Sequence, residues 1–149
     1  MPVTMQDVLA RIDLDEIDYP GAAAQLGPEA LPLLEELAAG GDAMLASKAV
    51  YLASVISDPG AARIVRRAAQ HADARVRVAA AAGLRNLPER DAEPQIDRLL
   101  QDSDVGVRKV ALKSAAAFDS PAMITRVQRL AEHDPEPAMR DLAKRATHK

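Results

Sequence analysis

Set out in rows of 31, the apolar residues of this chain fall into columns. Leu34, Val65, Ile96 and Val127 share one column, and Leu37, Ala68, Leu99 and Leu130 stand three positions later. A third column reads Leu45, Val76, Val107 and, after a one-residue slip, Met139. Ala49, Ala80, Ala111 and, with the same slip, Ala143 form a fourth; Ile56, Leu87 and Phe118 form a fifth. Within a segment the spacing is i, i+3, i+4, i+7, as in Val76, Ala79, Ala80, Gly83 and Leu87, which is the period of a helix and not of a strand. A fixed period of this length signals one supersecondary unit stacked on copies of itself.

Each unit predicts a first helix, a short turn and a second helix. The first helices are expected at 28–39, 59–71, 92–101 and 121–132, and the second at 42–56, 73–87, 104–118 and 137–147. Pro28, Pro59 and Pro121 share a register, with Arg90 in the remaining slot. Proline suits the first helical turn, where its missing N–H costs nothing. Asp42, Asp73 and Asp104 share a register at the start of the second helix, where a carboxylate accepts orphan backbone N–H bonds. Residues 1–27 read as a degenerate capping unit: Thr4 and Asp7 make a capping box over Val8, Leu9 and Ile12, and a short helix at Pro20–Leu26 ends at Gly27. Lys144, Arg145, His148 and Lys149 place positive charge at the last helix end, where it is favourable. The whole reads as one domain, 1–149, with four repeats of about 31 residues over 28–147.

The stretches DADARVRVAAAAGL and DSDVGVRKVALKSA resemble the Asp…Val-Arg…Ala segment of HEAT repeats, and the short period resembles the bilin-lyase-type subgroup of that family. The resemblance covers roughly 28–147, and its motif is good in two repeats and degraded in two. It implies an all-α, right-handed α-α superhelix of about four helix pairs. It also implies an arginine–aspartate ladder between neighbouring turns, carried by Arg77, Arg108 and, one residue late, Arg140, with Ala46 in the slot of the first repeat. Tetratricopeptide and ankyrin repeats have longer periods and signature residues that are missing here.

Composition narrows the function. Only Tyr19, Tyr51 and Phe118 are aromatic, so the core is built of Ala, Leu, Val and Ile, whose small size lets helices approach closely. The absence of cysteine excludes disulfides, thiolate metal sites and a thiol nucleophile. No stretch approaches the ~20 apolar residues of a membrane span, and the N-terminus lacks the pattern of a signal peptide. A cytoplasmic protein is therefore expected, and the resemblance implies a bacterial-type one. The net charge of −3 conceals an asymmetry: residues 1–58 carry −8 and residues 59–149 carry +5. A monomer is expected, although such polarity allows head-to-tail pairing.

Two surfaces are candidate sites. On the resemblance to such solenoids, the second helices line the concave face. There Val50, Tyr51, Val78, Ala81, Arg85, Lys109, Leu112 and Lys113 are expected to form an apolar strip edged by positive charge, suited to a peptide or helix of a protein partner, an acidic one included. On the first helices Arg67, Arg98 and Arg129 form a column, with Glu36 in the first repeat, and offer an alternative phosphate-binding stripe. Nucleic acid is the weaker expectation, since stacking platforms for bases are missing. His71, His133 and His148 have no metal-binding spacing, and no GxSxG, phosphate loop or HExxH occurs. Bilin lyases and alkylpurine DNA glycosylases are HEAT-like enzymes, but the chain is short for either. The expectation is a non-catalytic interaction scaffold, with no cofactor and no metal. An accessory or chaperone-like subunit of a larger enzyme, including a bilin-lyase-like role, is the alternative.

Overall fold

The computed structural model describes residues 2–147; His148 and Lys149, expected at the last helix end, lie outside the described residues. Two short helices, α1 (Met5–Ile12) and α2 (Tyr19–Leu26), precede four helix pairs. The pairs are α3 (Leu31–Ala38) with α4 (Ala43–Val55), α5 (Gly60–Ala68) with α6 (Ala74–Gly83), α7 (Glu89–Leu99) with α8 (Val105–Phe118), and α9 (Pro121–His133) with α10 (Pro137–Thr147). A 3-10 turn at Pro28–Ala30 leads into α3, and another at Leu84–Asn86 continues α6. No strand occurs among the described residues.

The aspartates cap the second helices. Asp42 accepts from the N–H groups of Met44 and Leu45 at 3.0 and 3.1 Å, Asp73 from Arg75 at 2.8 Å, and Asp104 from Val107 at 3.0 Å. Pro59 immediately precedes α5 and Pro121 opens α9. The third unit departs from the expected bounds: α7 begins at Glu89 instead of 92. Pro88 is extended and separates α7 from the preceding 3-10 turn, while Glu89 and Asp91 place negative charge in the first turn, where the helix dipole favours it.

Most column positions become core, while Leu37, Leu45 and Phe118 stay partly exposed. Leu34, Val65, Ile96 and Val127 are at most 1% exposed, and Ala49, Ala80, Ala111 and Ala143 are fully buried. The second helices α4, α6 and α8 pack on one another far more extensively than the first helices α3, α5 and α7 do. The more closely spaced layer lies on the inside of the bend, so the second helices form the inner face. Small residues permit that spacing. A Cβ on Gly83 would lie 2.7 Å from the Cβ of Ser54, so the α4–α6 approach depends on glycine there. Hydroxyls and amides bridge the same layer: Ser114 Oγ donates to the Ala81 carbonyl at 2.6 Å, and Asn86 Nδ2 to Ser54 Oγ at 3.1 Å.

The N-terminal unit packs on the first helix pair. Its capping box is formed: Asp7 N–H donates to Thr4 Oγ1 at 3.2 Å, and Thr4 N–H to the Asp7 carboxylate at 2.9 Å. Gly27 ends α2 with a φ of 67°, which glycine tolerates best. Helix α1 packs on α3 and α2 on α4, so the unit sits on the stack as a short repeat would. Tyr19 meets Tyr51 edge to face, with ring centroids 4.8 Å apart. Burial, with Tyr51 adjacent, pushes the Tyr19 phenol above its ordinary value.

Candidate partner-binding face

Two of the arginines that stand out in the sequence belong to the stack. Arg77 grips the Asp102 carboxylate through Nε and Nη2 at 2.9 and 3.2 Å, and its Nη1 donates to the carbonyls of His71 and Ala72 at 2.9 and 3.0 Å. Arg108 repeats this one unit later, gripping Asp134 at 2.9 and 3.4 Å and the Asp102 carbonyl at 2.9 Å. Each arginine thus ties its own turn to the next, and the ladder starts at the second repeat, since Ala46 fills the earlier slot. Burial alone would raise the Asp102 carboxyl. The Arg77 hydrogen bond, the Asp104 N–H and the charges of Arg77 and Arg108 outweigh it and hold the group below its ordinary 3.8. Asp102 Oδ1 and Asp134 Oδ1 also accept from the N–H two residues on, at 2.9 Å each. His71 takes that role in the second repeat: its Nδ1 accepts from Asp73 N–H at 3.0 Å. His71 thus closes the turn where the later repeats use an aspartate.

The inner face differs from the expected strip. Val50, Ala81 and Leu112 are 0%, 0% and 1% exposed and belong to the core. They share one column, on the flank where each second helix meets its neighbour, so a second helix is covered on three sides and shows only a narrow stripe. Tyr51 is half-buried beneath Tyr19 and anchors the N-terminal unit. Val78 is partly exposed, whereas Arg85, Lys109 and Lys113 are exposed. The stripe therefore runs through the columns of Val78 and Lys109 and of Lys113.

Three contributors went unnoticed in the sequence. Met44 is 66% exposed, the most exposed large hydrophobic among the described residues, and with Ala43, Ser47, Lys48, Arg75 and Val78 it lines a shallow hollow of about 370 Å³ between α4 and α6. The signal was a methionine in a column otherwise holding Arg75 and Gly106. Arg75 pairs with Asp73 at 2.7 Å, and the Arg75 side-chain and backbone hydrogen bonds lower the Asp73 carboxyl to about 2. Lys48 directs its ammonium to the Leu14 carbonyl at 3.0 Å. The face is thus apolar towards α4 and basic from Arg85 onwards.

Arg67, Arg98 and Arg129 are exposed on the first helices, as their column implies. Acids interrupt them. Glu35 holds Arg63 at 3.0 Å with Arg67 at 3.9 Å, and Arg126 is clamped by Asp97 and Glu93. The hydrogen bonds and charge of Asp97, ahead of those of Glu93, raise the Arg126 guanidinium beyond its already high value. Arg129 and His133 wall a cleft of about 640 Å³ over Leu100 and Leu130, which is where the first helices α7 and α9 part. The described residues hold no group of three or more acids or histidines placed to bind a metal. No helix among them is long and apolar enough to cross a membrane.

Paired helices stacked in register, with an arginine–aspartate ladder along the turns, define a helical-repeat protein. A family model for HEAT repeats matches residues 61–147, from α5 to the end of α10, and the chain belongs to that family. No curated protein matches the chain. HEAT repeats generally mediate protein–protein interaction.

Proposed function

We propose that the chain is a non-catalytic scaffold that captures an acidic, amphipathic segment of a partner protein on its second-helix face. The observation that carries this reading is one exposed stripe with two chemistries. The Met44–Val78 hollow offers an apolar socket, and Arg85, Lys109 and Lys113 follow it as exposed cations. An amphipathic helix docks its apolar residues into such a socket and aligns its acids with the cations. Electrostatic complementarity of this kind sets association rate and specificity more than raw affinity.

The test compares three immobilised proteins: the wild type, Lys109→Glu/Lys113→Glu, and Arg98→Glu/Arg129→Glu. All four altered residues are exposed, so each variant keeps the fold. A partner retained by the wild type is expected to be lost with the first variant and kept with the second. Retention by the first and loss with the second would transfer the site to the outer face.

A further inference from the structure

The ladder leaves two half-positions over. Counted from the residue that caps each second helix, the ladder arginine stands four positions later, as Arg77 after Asp73 and Arg108 after Asp104. Its acid stands two positions before the next cap, as Asp102 before Asp104 and Asp134 before Glu136. Each internal junction holds either an arginine facing an acid or neither of the two. Ala22 precedes the turn with Gly40, Ala46 precedes the turn with His71, Arg77 meets Asp102 and Arg108 meets Asp134. The remaining half-positions are Arg140, four after Glu136, and Glu16, two before the α2 cap Asp18.

Both are ready for a counterpart. Arg140 Nη1 donates to the Asp134 carbonyl at 2.6 Å, as the Nη1 atoms of Arg77 and Arg108 donate to their own turns. Its Nε and Nη2, the pair that grips a carboxylate in the other two, have no acidic partner among the described residues. Glu16 is exposed, in a turn tied to α4 by the Lys48 bond to the Leu14 carbonyl. The ladder runs forward, each arginine reaching the following turn. Arg140 therefore faces beyond the fourth repeat, and Glu16 faces out ahead of the first.

We propose that a second copy of this chain supplies the missing member, with Arg140 of one molecule gripping the Glu16 carboxylate of the next so that the stack continues head to tail. Charge favours the same orientation, because residues 1–58 carry −8 and residues 59–149 carry +5. A contact between different surfaces of identical molecules propagates into an open chain or closes into a ring. It leaves Lys109 and Lys113 free, so it stands or falls independently of partner capture.

Sedimentation velocity of the full chain at low salt, over a concentration series, tests this. The wild-type mass is expected to rise with concentration and to return to the monomer on adding salt. Arg140→Ala and Glu16→Ala are each expected to weaken association by about tenfold or more. Glu16→Ala alters only an exposed turn, so it carries the test even if Arg140→Ala disturbs α10. Mixing the two variants restores one contact, from the intact Arg140 of one to the intact Glu16 of the other, and gives a one-to-one dimer that grows no further. A wild type that stays monomeric at low salt and high concentration overturns the proposal, as does association that persists in both variants.

Discussion

Arg75 and Arg108 both follow a capping aspartate closely, yet the structure gives them opposite weight. Arg75 lies on the surface beside Asp73, with 74% of its side chain exposed, whereas Arg108 and Asp134 are 9% and 1% exposed. Removing Arg108 strands a buried carboxylate, so Arg108→Ala is expected to cost about 3–5 kcal/mol in urea denaturation. Arg75→Ala is expected to leave the urea midpoint where it was. Restoring neutrality with Arg108→Met/Asp134→Leu should recover most of the loss, and failure to do so would mean that the pair does more than neutralise itself. Gln95 carries the opposite lesson. It is 7% exposed, its Oε1 has no partner, and the same register holds Ile64 one repeat earlier. Gln95→Leu is expected to raise stability by about 1 kcal/mol, read from the urea midpoint. The ladder arginines were legible as a motif. Gln95 was not, because a glutamine between an acid-rich segment and Ile96 reads as a solvated residue until its burial is seen.

At the scale of the helix, the 31-residue register placed the first-helix columns correctly except at Leu37, beside which Ala38 is the buried residue, but it credited the second helices with too wide an exposed face. Val50, Ala81 and Leu112 looked exposed because a lone amphipathic helix has one buried side. In a stack the preceding and following second helices cover two further flanks, and alanine, glycine and serine are the residues that let them close in. The neighbours Leu112 and Lys113 therefore separate sharply. Leu112→Asp puts a charge into the core and is expected to abolish cooperative unfolding by circular dichroism, while Lys113→Asp keeps it. Gly83→Ala favours helix locally, but it pushes α6 off α4 at Ser54 and is expected to cost about 1–3 kcal/mol, read from the urea midpoint. The turns add a pH dependence. The Asp73 carboxyl is lowered to about 2 and that of Asp102 is lowered from 3.8, so both bind protons less readily folded than unfolded. Their contribution is complete above the unfolded value and is lost as the pH falls through the folded one. The melting temperature should stay level on acidification to about pH 5 and then fall between pH 4 and 2, less steeply in Asp102→Asn. An equal slope in that variant would remove Asp102 from the explanation.

Across the whole molecule, chemistry is distributed by layer. The turns consume Arg77, Arg108, Asp102 and Asp134, and the outer layer neutralises much of its charge between neighbouring repeats through Glu35 and Asp97. What stays available on the inner layer is the stripe from Met44 and Val78 to Arg85, Lys109 and Lys113. Its basic half was legible from the register. Its apolar end was not, because the burial of Tyr51 under Tyr19 and the hollow beside Met44 depend on how the N-terminal unit and α6 pack against α4. The most direct measurement is amide hydrogen exchange on the chain with and without its captured partner. Protection is expected along the exposed sides of α4, α6 and α8, centred on Met44–Lys48, Arg75–Val78 and Lys109–Lys113. Protection confined to the first helices around Arg67, Arg98 and Arg129 would contradict the assignment of the binding face.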